Sequence, residues 1–367
     1  MNWGEHMRRA LALAEAGRYG ASPNPMVGAV VVDSQGSVVG EGAHRRCGGP
    51  HAEIEALAVA GARAFGGTLV VTLEPCVHHG RTPPCVDAIL AAAVRRVVIG
   101  CRDPNPAVAG RGVEALRAAG LEILEGVEAD ACRRLNRRFF HYMESGLPYI
   151  TLKMALTLDG KLAARGGRSR WITSEASRRE GYALREEYDA LLVGVGTVLA
   201  DDPRLVRHLG FNPDPHLRRV VLDSHLRTPP DCALLRHEPA DVVLFCTERA
   251  DPARRRALES AGATVVEVGG DERGRCDLRQ VVKFLAARGI SSVLVEGGGE
   301  THWSFLKEGL AQRVHAFLAP MLLGGREAIP AVGGVGFASP QEAVTLRFEE
   351  VRRLDGDLVL IAEVVRV

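Results

Sequence analysis

Apolar and polar positions change rhythm repeatedly along the chain, and the changes mark elements. Residues 3–16 carry apolar positions at helical spacing and predict a short amphipathic helix. Residues 26–33 and 37–42 are apolar, β-rich runs, and Ser34-Gln35-Gly36 between them reads as a hairpin loop. A helix is predicted over 51–65, where Ile54, Leu57 and Ala58 recur on one face, and a buried-type strand over 68–73. The alternation continues as helix 85–93, strand 96–100, helix 113–119, strand 121–125 and helix 130–142. Glu144-Ser145-Gly146-Leu147-Pro148 then breaks the pattern and predicts a boundary.

Beyond it the rhythm restarts. Strands are predicted over 149–155, 190–195, 219–222, 242–246, 264–268 and 292–295. Helices are predicted over 174–188, with Ser174 as N-cap, and over 252–261, 278–288 and 301–308. Strands alternating with helices in both halves predict α/β layers around largely buried sheets. The expected domains are 1–146 and 147–367, each long enough for its own core.

Composition narrows this little. Of 367 residues, 46% are hydrophobic and 25% charged, which excludes a disordered chain or a fibre. The 46 basic and 45 acidic residues leave a net charge of +1, so no broad surface for nucleic acid or anionic lipid is expected. No run is apolar enough to span a bilayer. Glu5, Arg8, Arg9 and Glu15 interrupt any signal-peptide core at the N-terminus. A cytoplasmic location is therefore expected, where cysteine spacing reads as metal or catalytic chemistry and not as a disulfide framework. Cys101, Cys132, Cys232, Cys246 and Cys276 read as buried small residues.

The chemistry concentrates in His51-Ala52-Glu53, Pro75-Cys76 and Pro84-Cys85. One imidazole and two thiolates are the ligand set of a catalytic zinc, with the fourth position left for water. Cys85 opens a predicted helix, where a thiol's pKa falls. Glu53, two residues beyond His51, is placed to shuttle protons without ligating. This is the zinc-deaminase signature, H-x-E followed by two cysteines, except that eight residues separate the cysteines. The insert, Val77 to Pro84, carries His78, His79 and Arg81 and must project near the metal. The alternative is a structural zinc closed by His44 or Cys47. In the second half, Glu296-Gly297-Gly298-Gly299 joins a strand to a helix and reads either as a phosphate-binding turn or as a tight structural one.

With these motifs the chain resembles the bifunctional riboflavin-biosynthesis family, a fusion of a zinc-dependent pyrimidine deaminase with an NADPH-dependent reductase. The resemblance rests on Ser22-Pro23-Asn24-Pro25-Met26-Val27-Gly28-Ala29, His51-Ala52-Glu53, the stretch from Thr72 to Cys85 and Asp103-Pro104-Asn105-Pro106. It continues through Leu152–Lys161, Ser169–Thr173, Leu191–Leu205, Leu222-Asp223-Ser224, Val295–Gly299 and Ala319–Gly325. It implies an N-terminal cytidine-deaminase-like three-layer α/β/α domain followed by a dihydrofolate-reductase-like α/β domain.

The resemblance also implies the chemistry: hydrolytic loss of a pyrimidine amino group, then hydride delivery to the ribosyl carbon of the phosphorylated product. Zn2+ would sit on His51, Cys76 and Cys85, with Glu53 as acid and base. Asn24, His44, His79, Asp103 and Asn105 would touch the first substrate, with the choice between His78 and His79 left open. Lys153, Ser169, Arg185, Leu205, Arg207 and Glu296 would meet the second. The loop Leu205-Val206-Arg207-His208 is one residue shorter than the family's pattern, and Arg207 is favoured over His208 for the phosphate because of its bidentate fork. NADPH would meet Ala155, Trp171, Thr197, Asp201, Ser224, Gly298, Gly299, Glu300 and Thr301. A homo-oligomer built through the second half is the implied assembly.

Overall fold

The computed structural model describes residues 2–78, 83–214, 217–237 and 241–366. The chain divides into two compact units, Met1–Leu147 and Pro148–Val367.

In the first unit the strands are β1 Gly28–Val32, β2 Val38–Ala43, β3 Thr68–Leu73, β4 Arg96–Cys101 and β5 Glu122–Glu125. The helices are α1 Trp3–Ala14, α2 Ala52–Ala60, α3 Cys85–Ala91, α4 Arg111–Ala118, α5 Ala129–Leu135 and α6 Arg137–Ser145. The sheet order is β2-β1-β3-β4-β5, antiparallel on both sides of β1 and parallel from β3 to β5. Every residue of β1 and β3 is buried, so both faces of the sheet are covered, and only Thr68 and Thr72 interrupt their apolar runs. A fully buried valine or leucine contributes about 1.5–3 kcal/mol, against roughly 0–1 kcal/mol for a surface ion pair such as Arg96–Glu122. The frame is therefore set by the sheet and not by its charged rim. Close approach of α2 depends on Gly42, where a methyl group would lie 2.3 Å from the Ala52 carbonyl oxygen. The single helix expected over 130–142 is broken at Asn136. Its buried amide both accepts from Met26 N–H and donates to Met26 C=O, each at 2.8 Å, which holds that residue out of helical register.

The second unit contains β6 Tyr149–Thr157, β7 Lys161–Ala163, β8 Ala190–Gly194, β9 Arg218–Leu222, β10 Val242–Cys246 and β11 Thr264–Glu267. It continues with β12 Ser292–Val295, β13 Arg313–Ala319, β14 Ile329–Pro330, β15 Thr345–Leu354 and β16 Asp357–Arg366. Its helices are α7 Glu175–Glu187, α8 Val195–Asp201, α9 Ala233–Arg236, α10 Pro252–Ser260, α11 Leu278–Ala287 and α12 Gly299–Lys307. The main sheet runs β11-β10-β9-β8-β12-β6-β13-β16-β15, parallel from β11 to β13 and antiparallel beyond. Ser174 caps α7 as expected, its hydroxyl accepting from Ser177 N–H at 3.2 Å. The strand expected to run to Val195 stops at Gly194, and Val195 instead opens helix α8. The hairpin β15–β16 was not foreseen; it turns through Asp355 and Gly356, both with positive φ, the geometry of a two-residue turn. Parallel order brings the carboxyl ends of β6, β12, β8 and β9 together along one edge, where α/β sheets form their ligand crevice. Among the described residues no helix is long and apolar enough to cross a membrane.

Candidate metal and nucleotide sites

Three element ends meet in the first unit. His51 is the N-cap of α2, with extended backbone. Strand β3 stops at Leu73 and delivers Glu74-Pro75-Cys76, while Cys85 begins α3. The ligand atoms of His51, Cys76 and Cys85 all lie within 4.8 Å of one another. Nδ1 of His51 stands 3.1 Å from the Cys85 Sγ and 3.6 Å from the Cys76 Sγ. The backbone N–H of Cys85 donates to the Cys76 sulfur at 3.4 Å. A hydrogen bond from Cys85 pulls the Cys76 thiol down to about 4, while the same contact together with burial raises Cys85. A cation bound between the two sulfurs would displace the protons they carry. One nitrogen and two sulfurs, partly screened from solvent, suit Zn2+ and leave a coordination position open.

Glu53 lies in the first turn of α2, only 3% exposed, and outside that trio of ligand atoms. Burial raises its carboxyl, which favours a group that can hold a proton. His44 and Cys47, the alternative closing ligands, are not part of the cluster. The buried ring of His44 uses Nδ1 on the Pro50 carbonyl at 2.9 Å and Nε2 on the Asn24 amide at 3.1 Å, and meets the His51 ring edge-on at 5.2 Å. Burial keeps His44 below its usual pKa. His44, and through it Asn24, therefore stand beside the metal cluster.

Asp103 is buried and pushed up to about 6 by that burial, and it accepts from Asn105 N–H at 2.8 Å. Its neighbour Glu74 was missed by sequence reasoning. This buried carboxylate accepts backbone N–H bonds from Asp103, Gly110, Gly112 and Val113 at 2.9–3.2 Å. It ties the Asp103–Asn105 loop to the strand end bearing Cys76. Its signal was available, since a carboxylate directly precedes the Pro-Cys motif. His78 is exposed, and His79 lies outside the described residues.

The second unit holds a cleft of about 990 Å³ at the carboxyl ends of its parallel strands. It is lined by the expected Lys153, Ala155, Ser169, Thr197, Asp201 and Ser224, and by Glu296, Gly298, Gly299, Glu300 and Thr301. The glycines are required by space: a methyl group at Gly297 would stand 2.7 Å from Thr197 Oγ1, and one at Gly299 2.3 Å from the Pro330 carbonyl oxygen. Gly298 has φ +80. The turn presents the start of α12, with its unpaired amides, to the cleft. Gly299→Ala is expected to displace this helix start, costing about 1–3 kcal/mol of stability. It should also weaken, severalfold, binding of the NADPH that the sequence resemblance assigns to this turn, as read by thermal melting and by nucleotide fluorescence titration.

Arg185 and Glu296 form a bidentate pair, at 2.6 and 2.8 Å, with side chains only 13% and 7% exposed. Burial opposes ionisation of Glu296, but Arg185 and then Lys153 hold its carboxyl down at about 2. Burial lowers the pKa of Lys153. Trp171 is 61% exposed with the Arg178 guanidinium 4.4 Å from its ring, and is not among the residues lining the cleft. Leu205 is buried at φ +49 and also lies outside the lining.

Arg207 is engaged by backbone. Its guanidinium donates to the carbonyls of Arg185, Tyr188 and Asp214 at 3.3, 2.8 and 2.6 Å, so its fork is spent on holding the chain. The ring of His208 lies 4.6 Å from that of Tyr182, and the charges of Arg185 and Glu296 act on it. His302 is buried in α12, lines the cleft and is bound through Nδ1 to the Ala331 carbonyl at 2.8 Å.

Comparison with known proteins adds two family matches: the cytidine and deoxycytidylate deaminase zinc-binding region over residues 2–101, and the RibD C-terminal domain over 148–360. The chain is 44% identical over 356 residues to the riboflavin biosynthesis protein RibD of Aquifex aeolicus, covering 97% of this chain and 96% of that one. RibD of Acinetobacter baumannii superposes with a TM-score of 0.88 at 35% identity over 99% of both chains. A diaminohydroxyphosphoribosylaminopyrimidine deaminase/5-amino-6-(5-phosphoribosylamino)uracil reductase from Thermotoga maritima superposes at 0.83, again at 35% identity over 99% of each.

Proposed function

Since the chain belongs to the RibD family of bifunctional riboflavin-biosynthesis enzymes, we propose that His51, Cys76 and Cys85 hold the zinc of its deaminase and that the cleft of the second unit seats the NADPH of its reductase. The deaminase removes an amino group from 2,5-diamino-6-(5-phosphoribosylamino)pyrimidin-4(3H)-one, and the reductase converts the ribosyl group of 5-amino-6-(5-phosphoribosylamino)uracil to ribityl. The observation that carries this reading is the trio of N and S ligands with a buried carboxyl beside it and outside it.

Zinc supplies the Lewis acidity that brings water into nucleophilic range near neutral pH. With the metal held by His51, Cys76 and Cys85, Glu53 would serve as the proton carrier, taking a proton at its carboxyl and returning it to the departing amine, a role its burial-raised pKa suits. Asn24, fixed by neutral His44, presents its remaining amide atoms to the pyrimidine edge. Asp103, Asn105 and His79 complete the substrate contacts of this half.

In the second unit NADPH, when bound, would supply the hydride for reduction of the ribosyl carbon C1. Ala155, Trp171, Thr197, Asp201, Ser224 and the 298–301 turn are assigned to the cofactor. Lys153, Ser169 and Arg185 are assigned to the substrate, with Glu296 fixing Arg185 from behind. We move the phosphate contact from Arg207 to His208, because every described bond of the Arg207 fork goes to backbone. His208→Ala should raise the reductase KM severalfold at little change in melting temperature, whereas Arg207→Ala should lower the melting temperature. A KM raised only by the Arg207 change would reverse the assignment.

A cytoplasmic setting, with thiols kept reduced, completes the reading. Self-association through the second unit is supported by β15, a sheet edge on which Phe348 is 62% and Val351 57% exposed. Sedimentation of the full chain tests it. The central test is metal content of Cys76→Ser measured together with ammonia release, and NADPH oxidation followed before and after deamination. Loss of zinc without loss of ammonia release would overturn the metal assignment.

A further inference from the structure

The carboxyl ends of β6, β12, β8 and β9 follow one another along the cleft. If NADPH lies there, as the reading above holds, Lys153 and Ala155 on β6 mark its nicotinamide end. The glycine turn after β12 and Thr197 after β8 mark its pyrophosphate. Three inter-strand steps of ~4.8 Å put β9 roughly 14 Å from β6, and the adenosine half extends that way.

At β9 the cleft wall is built from Ser224, Arg227 and Arg275. Arg275 projects from a tight hairpin. Gly270 and Cys276 pair across its base, and Asp271 N–H donates to the Arg275 carbonyl at 2.7 Å. The hairpin is fastened to β9 by Cys276 N–H, which donates to the Ser224 hydroxyl at 3.1 Å. It is fastened to β10 by the Cys276 thiol, which donates to the Phe245 carbonyl at 3.2 Å. Asp271 grips the Arg275 fork from one side, at 3.0 Å to Nε and 2.9 Å to Nη2, and Nη1 is left with Glu300 at 3.6 Å. Arg227 is exposed, its Nε 3.8 Å from Oδ1 of fully buried Asp223, an oxygen that makes no hydrogen bond. Glu272 and Arg273, at the tip of the same hairpin, cancel in charge.

We propose that Arg227 and Arg275, with the Ser224 hydroxyl, bind the 2′-phosphate of the adenosine ribose and so make the reductase select NADPH over NADH. Guanidinium forks match phosphate oxygens in pairs. The Ser224 hydroxyl accepts from Cys276 N–H at 3.1 Å and stands 3.5 Å from the Cys276 Sγ, a long contact from which its proton can turn to a phosphate oxygen. Asp223 and Asp271 hold the two arginines without spending all their donors. NADH offers only a hydroxyl at this place and leaves both guanidinium groups unused.

The test is calorimetric titration of the full-length zinc-loaded enzyme with 2′,5′-ADP and with ADP, for the natural chain, Arg227→Ala, Arg275→Ala and the double variant. Ammonia release serves as the folding control. The natural chain should prefer 2′,5′-ADP. Each single change should weaken its binding about tenfold or more, and the double change should abolish the preference with little effect on ADP. Retention of the preference in the double variant overturns the assignment while leaving the cofactor cleft standing. Failure of the natural chain to bind either probe overturns the cleft itself.

Discussion

Glu53→Gln should lose ammonia release by about 10²–10⁴-fold, the range assigned to a positioned acid–base group, and keep one zinc per chain. The amide matches the carboxyl in size, so the 3%-exposed pocket in the first turn of α2 is preserved. It can neither take a proton from water nor return one to the leaving amine. The ligand trio does not include Glu53, so metal content by atomic emission should be unchanged. Reduction of the deaminated uracil should also be unchanged. Full ammonia release by this variant would remove Glu53 from the proton path, and loss of zinc would make it a ligand.

The second large effect is expected from Glu296→Ala. Arg185 would then keep a nearly buried guanidinium without its carboxylate, a loss of about 3–5 kcal/mol. Linkage gives a similar size. The carboxyl is held at about 2 against an ordinary 4.5, which is about 3 kcal/mol of pairing. The folded-state value lies below the unfolded one, so this contribution is fully present above pH ~4.5 and fades as pH falls toward 2. Denaturant unfolding of the natural chain and the variant between pH 7 and pH 3 should show their difference shrinking with acid. A difference constant over that range would mean that the pair does not stabilise the fold. Reductase turnover should fall with it at neutral pH, because Arg185 and Lys153 lose their reference charge.

The parts legible in the sequence were those written locally. His51, Cys76 and Cys85 belong to short motifs, and their convergence follows from an N-cap, a strand end and a helix start. The hairpin at 34–36 was readable because Asp33 and Gly36 carry turn chemistry, with Asp33 accepting from Gln35 and Ser37 N–H. The Asp355-Gly356 turn carried the same kind of signal and was passed over. Strand β15 is mostly exposed, so its apolar residues do not show the clean alternation of a half-buried strand. The break at Asn136 was invisible because its partner, Met26, is 110 residues away. The surroundings of Arg207 were hidden for a related reason: an arginine near an expected phosphate reads as its ligand, and only three dimensions reveal the carbonyls it meets. Arg227 and Arg275 were hidden among many arginines until sheet order placed them at one end of a cleft.

Glu74 joins two regions that chemistry would otherwise leave independent. One oxygen reaches the start of the Asp103 loop and Gly110, the other the first residues of α4, and its own backbone runs straight into Pro75-Cys76. If Cys76 holds the ion as proposed, loosening that sulfur would also slacken the loop that carries Asp103 and Asn105.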